Sequence, residues 1–148
     1  MTHPDPLVAA LPPSIIPSLA ANARRLGDAP AIRFLHDDVG GDADEVSFAA
    51  LDQRVRAAAL RLREEGLRGE RALLLYPPGI EFVVGFVACL YEGVIAVPVW
   101  PPDLARLDRT LPRLRAVAAD AGARAVLTTA ALAELAPGLL ADAPELQA

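Results

Sequence analysis

The 148-residue sequence has no lysine; all 14 of its basic residues are arginine. Without lysine there can be no G-x-x-x-x-G-K-[ST] phosphate loop. The single cysteine, Cys89, excludes an intrachain disulfide and a multi-cysteine metal site. It stands inside the apolar run from Phe82 to Tyr91, which marks it as a small buried hydrophobe rather than a reactive thiol. The two histidines, His3 and His36, are far apart and lack the carboxylate or thiolate spacing of a zinc site. Positive charge is short as well: the net charge is −5, which excludes the basic footprint that nucleic acid requires. The opening Met1 to Pro6 has no basic stretch followed by an apolar core, so no export signal is read and a cytoplasmic location is expected.

A long uninterrupted hydrophobic run is also missing. Phe82 to Pro102 carries one charge, Glu92, but Gly93, Pro98, Pro101 and Pro102 break it. A membrane-spanning helix needs about 20 continuous helix-compatible apolar residues. The stretch reads instead as a buried helix followed by a buried strand, and no transmembrane segment is expected.

What the chain does have is apolar content, 53% of residues against 22% charged. That is enough to offset the entropy of ordering one core. Arginine in place of every lysine, with abundant Ala, Leu, Pro and Asp, points to a GC-rich bacterial coding sequence.

The first 13 residues are expected to form a flexible leader. A helix is predicted over Ser14 to Arg25, with Pro17 in its first turn and Gly27 as its stop. Ala31 to Leu35 and Glu45 to Phe48 read as a hairpin with a long polar tip. Ser47 is placed to cap a helix from Ala49 to Glu65, whose apolar face is Leu51, Val55, Ala58 and Leu62 and whose arginines (Arg54, Arg56, Arg61 and Arg63) form a solvated face. Gly66 ends that helix in the left-handed conformation, with Leu67 packing back.

From there strand and helix alternate. Strands are predicted at Ala72 to Tyr76, Val94 to Val97 and Ala125 to Thr128. Helices are predicted at Ile80 to Tyr91, at Leu111 to Ala121 with Thr110 as cap, and at Ala130 to Leu135. The fold class is therefore α/β: an N-terminal helix and β-hairpin followed by a βαβαβ parallel sheet.

Such a unit invites a dinucleotide site, which needs glycines in its first turn so that backbone amides can approach a pyrophosphate. The turn here is Tyr76-Pro77-Pro78-Gly79-Ile80-Glu81. Two prolines remove two donors, and Glu81 at the helix start suits the helix dipole but repels phosphate. Ser14, Ser18 and Ser47 lack the G-x-S-x-G surround of a nucleophile. Asp103 and Asp108 near Arg106 and Arg109 read as solvated ion pairs. Asp37, Asp38, Asp42 and Asp44 lack the ligand pattern of a calcium loop. No catalytic, cofactor-binding or metal-binding residue is therefore assigned.

Trp100 is the one residue singled out. It directly follows a strand, and Pro101 and Pro102 stiffen the chain behind it. Two roles are open: a cap over the core, or a wall of a pocket at the carboxyl end of the sheet, where α/β proteins place ligands. The second makes Trp100 a substrate-proximal candidate.

Several stretches resemble an adenylate-forming enzyme: Pro30-Ala31-Ile32, Val46-Ser47-Phe48-Ala49-Ala50-Leu51, Tyr76-Pro77-Pro78-Gly79 and Leu90 to Pro98. The Ser-Phe-x-x-Leu stretch is similar to the superfamily's first core motif, and Leu90 to Pro98 to its second. The chain most resembles the fatty acyl-AMP ligases, through Pro98-Val99-Trp100-Pro101-Pro102, Leu111-Pro112-Arg113-Leu114-Arg115 and Val126-Leu127-Thr128-Thr129. That subfamily usually has Tyr where Trp100 stands, and Phe48 and Ala50 depart from the usual Tyr and Glu.

The resemblance implies that residues 1–148 are an incomplete piece, the N-terminal segment of the large N-terminal domain. It implies a parent enzyme that uses ATP and Mg2+ to convert a fatty acid into an acyl-adenylate and then acylates an acyl carrier protein, free-standing or in polyketide or lipopeptide biosynthesis. The phosphate loop, the nucleotide-binding motifs and the catalytic lysine of such enzymes lie downstream of this stretch. The chain alone is therefore expected to hold no cofactor and to be inactive, with the rest of the parent as its first partner and homo-oligomers through exposed sheet edges as another. Two alternatives stand beside this: a non-enzymatic binding or dimerisation module, and a piece of an acyl-CoA synthetase.

Overall fold

The computed structural model describes residues 14–36, 43–102 and 106–134. The expected leader over residues 1–13 and the hairpin tip at 37–42, with Asp37, Asp38 and Asp42, lie outside the described residues. The chain begins with α1 (Ile15–Leu26) and a hairpin of β1 (Pro30–Leu35) and β2 (Ala43–Ser47), followed by α2 (Phe48–Glu64). Then come β3 (Arg71–Leu75), α3 (Ile80–Glu92), β4 (Ile95–Pro98), α4 (Leu107–Ala121) and β5 (Ala125–Thr128). Residues 130–134 are helical after β5. The α/β class and the strand-helix alternation are as the sequence predicts.

β1 and β2 pair antiparallel as a sheet of their own, and β3, β4 and β5 form a parallel sheet in the order β4-β3-β5. β3 is central, and its side chains alternate between two layers as a strand's period of two requires. Leu73 packs with Leu114 and Ala118 of α4. Ala72 and Leu74 pack on the opposite side with Ala88 and Cys89 of α3 and Ala59 and Leu62 of α2. A third cluster, Val46, Leu51, Val55, Ile80 and Val87, fastens the hairpin to α2 and α3. β3 is thus covered on both faces, which is why it reads as an unbroken apolar run.

Local chemistry sets the boundaries. The Ser47 hydroxyl accepts a hydrogen bond from the Ala50 amide at 3.2 Å, the cap the sequence predicts. Phe48 opens α2 rather than ending β2, because the capping residue fixes the helix start just behind itself. Gly66 has φ +67, and the Leu67 amide turns back to the Leu62 carbonyl at 3.0 Å.

α4 differs from its expected start. It begins a turn earlier, at Leu107, so Thr110 is not its cap but lies inside it, donating from Oγ1 to the Arg106 carbonyl at 3.0 Å. Pro112 is accommodated within the helix by leaving the Asp108 carbonyl without its usual i+4 amide donor. On the solvated face of α2, Arg63 is exposed as expected and its guanidinium also reaches the buried Glu92. Among the described residues no helix is long and apolar enough to cross a membrane.

Candidate apolar cleft at the switch point of the sheet

The order β4-β3-β5 places a crevice. The chain leaves β3 for α3 on one face of the sheet and leaves the neighbouring β4 for α4 on the other. Where adjacent strands send their connections to opposite faces, the loops part at the carboxyl ends and a ligand-sized gap opens. A cleft of about 320 Å³ lies there, lined by Tyr76, Pro77, Pro78, Phe82, Pro98, Val99 and Trp100.

The lining is almost wholly apolar. Pro77 and Pro78 offer no amide hydrogens, and α3 starts with Gly79 as its cap residue and Glu81 in its first turn. No phosphate cradle forms, and the residues present do not fit a nucleotide triphosphate. Phe82 stacks on Phe86 one turn along α3, with ring centroids 6.0 Å apart.

Tyr76 lies across α3 in a seat made by Gly85. A Cβ at position 85 would fall 2.9 Å from the Tyr76 Cε2, closer than Cβ atoms pack, and 3.0 Å from its hydroxyl oxygen, so the ring would have to shift. Glycine in a helix interior costs about 1 kcal/mol relative to alanine, and the close approach of the ring is the physical reason for it here. Burial pushes the Tyr76 phenol above its ordinary pKa, with Cys89 and Glu81 adding to the effect. Glu81, Gly85 and Cys89 are spaced by four and so share one stripe of α3.

Trp100 does not cap the core. Its side chain is 79% exposed, and Pro102 is the buried residue of the turn. The turn carries the indole beyond the end of β4, where it forms a wall shared by two clefts. The second, of about 360 Å³, lies against α4 and includes Pro101, Pro102, Arg109, Thr110 and Arg113.

Ser18, Ser47 and His36 are not among the residues that line this cleft, and His3 and Asp103 lie outside the described residues. Ser47 is a cap, and the Ser18 hydroxyl donates to the Ser14 carbonyl at 3.0 Å. His36 meets Asp44 at 3.1 Å near the hairpin tip. A small polar depression of about 190 Å³ is lined by Asp44, Glu45, Arg54, Ile80 and Glu81. Among the described residues no group of three or more His, Cys, Asp and Glu is placed to hold a metal ion. Tyr76 and Phe82 were not legible as lining residues. The one signal was Tyr76 at a strand end before two prolines, and its meaning depends on which strand lies next to β3.

Comparison with known proteins agrees with this architecture. The model of the AMP-binding enzyme family matches residues 19–148, and the chain belongs to that family. Over 87 residues it is 49% identical to the medium-chain-fatty-acid–[acyl-carrier-protein] ligase JamA of Moorena producens, covering 59% of this chain and 15% of that protein. Over 91 residues it is 48% identical to disco-interacting protein 2 homolog B of Mus musculus, covering 60% of this chain and 6% of that protein. Among solved structures, the fatty acyl-adenylate ligase from L. pneumophila in complex with acyl adenylate and pyrophosphate superposes with a TM-score of 0.72 at 29% identity. That match covers 82% of this chain and 20% of the other. The fold is thus that of the N-terminal portion of adenylate-forming enzymes, and the chain spans a small part of the length of its relatives.

Proposed function

We propose that this chain is the N-terminal segment of the large domain of a fatty acyl-AMP ligase, which activates a fatty acid with ATP and Mg2+ and passes the acyl group to an acyl carrier protein. The observation that carries the reading is the cleft at the β3–β4 switch point. It offers aromatic and proline surfaces and no amide cradle, which suits an alkyl chain and not a triphosphate. The nucleotide chemistry then falls to parts of the parent outside residues 1–148, and the chain by itself is inactive. Trp100 is the substrate-proximal residue of this reading. The carrier-protein acceptor is supported by the name of JamA, and the adenylate by the L. pneumophila complex. Among the described residues β4 and β5 each keep one unpaired edge, which supports pairing with strands of the parent or of a second copy.

A second reading, a non-enzymatic binding module, is favoured by the 48% match to a protein named for an interaction. A graft separates the readings. Residues 19–148 replace the matching segment of a JamA-type ligase, and the purified graft is given fatty acids, ATP, Mg2+ and hydroxylamine. The expected result is fatty-acid-dependent pyrophosphate and acyl hydroxamate, and acylation of holo-carrier protein in preference to coenzyme A. A graft that melts cooperatively but releases no pyrophosphate overturns the ligase reading in favour of the module. Preference for coenzyme A assigns the acyl-CoA synthetase class instead.

A further inference from the structure

We infer that the Tyr76–Gly85 contact sets how far an unbranched alkyl chain enters the cleft between β3 and β4, so that this pair determines the chain length accepted. The inference rests on the reading of that cleft as an acyl site and adds the residue that limits it. Gly85 is fully inside α3 and buried, a position where glycine is a poor helix former. The space its missing side chain leaves is filled by the Tyr76 ring, with Cε2, Cζ and the hydroxyl oxygen 2.9 to 3.1 Å from where a Cβ would stand. The same ring lines the cleft together with Phe82 and Trp100. α3 is therefore on one side of the ring and the cleft beside it. A side chain at position 85 would meet the ring, and the inference is that the ring then yields toward the cleft that Tyr76 lines. The glycine gives the cleft its depth, and the tyrosine forms its limit.

Trp100, the only tryptophan in the chain, borders the cleft and reports on its contents. Straight-chain alkyl carboxylates of increasing length are titrated into the chain while Trp100 fluorescence is followed, with melting temperature recorded for every variant. The unsubstituted chain should bind more tightly with each added methylene up to a limiting length. Gly85→Ala should reach its limit at a shorter chain and bind the longest accepted chain about tenfold more weakly, the scale of a methylene-sized misfit in an apolar pocket. Tyr76→Phe should keep the original limit, since the ring remains. Tyr76→Val added to Gly85→Ala should restore or extend it, and Tyr76→Val alone should extend it even where Gly85→Ala fails to fold.

An identical length profile in a folded Gly85→Ala chain overturns the inference, as does failure of Tyr76→Val to lengthen the limit. So does the absence of a saturable Trp100 response at every length. The graft assay for ligase activity depends on none of these variants. A graft that makes acyl hydroxamates without a chain-length change on Gly85→Ala removes this inference and leaves the proposed function standing. A graft without ligase activity removes that function.

Discussion

Arg63 donates from both Nε, at 3.0 Å, and Nη2, at 2.8 Å, to the same carboxylate oxygen of Glu92. The pair ties the last turn of α2 to the last residue of α3. Glu92 is 3% exposed while Arg63 is 61% exposed, so the arginine head lies at the surface and reaches inward. The Arg63 hydrogen bonds hold the Glu92 carboxyl below its usual range, against burial, and the charges of Arg63 and Arg68 add to the lowering. This is why a buried charge is tolerated at the end of a largely apolar helix.

A carboxyl with a depressed folded pKa stabilises the fold above its unfolded value, near 4.3. That contribution is lost as pH falls through the lower folded value. Glu92→Gln should therefore lower the melting temperature at neutral pH, and the gap to the unsubstituted chain should close in acid below about pH 4. Calorimetry from pH 7 to pH 3 checks this. A constant gap across the range would show that the charge is not what the pair contributes.

Cys89 is fully buried, and burial alone pushes its thiol up to about 11. The native chain should resist alkylation at pH 8, since the thiolate is the nucleophile. Labelling should appear only as the chain unfolds in denaturant. Rapid labelling of a folded sample, followed by mass spectrometry, would contradict the packing of α3 against β3.

Trp100 and Leu74 should respond oppositely to truncation. Leu74 is fully buried at the centre of β3, and Leu74→Ala should cost about 2–5 kcal/mol. Trp100→Ala should leave the melting temperature nearly unchanged, and the native indole should be quenched freely by iodide. A large loss of stability on Trp100→Ala would return the residue to the core.

Thr128 fastens β5 to β3, its hydroxyl donating to the Leu75 carbonyl at 2.7 Å. Thr128→Val keeps the shape and removes the donor, so a loss of about 0.5–1.5 kcal/mol is expected. Denaturant melts of the two chains measure it.

Local signals carried much of this structure. The bounds of β5 follow directly from Ala125 to Thr128, and the Ser47 cap and the Gly66 stop are chemistry that adjacent residues dictate. Three features depended on partners distant in sequence. The burial of Glu92 needs Arg63, 29 residues earlier. The seat of Tyr76 needs Gly85 at the right face of α3. The cleft itself needs β4 rather than β5 to be the strand whose connection diverges from that of β3, and strand order is set by packing on both faces. Trp100 was legible as a residue to single out, but a lone aromatic after a strand carries no sign of whether it turns inward.

The proposed function divides the labour: this chain supplies an apolar cleft, and the nucleotide is bound by other parts of the enzyme. Titrating ATP with Mg2+ into the purified chain in a calorimeter tests it most directly. No saturable heat is expected at millimolar nucleotide, because Pro77, Pro78 and Glu81 occupy the turn where a phosphate would need amide donors. A one-to-one isotherm with micromolar affinity would contradict it.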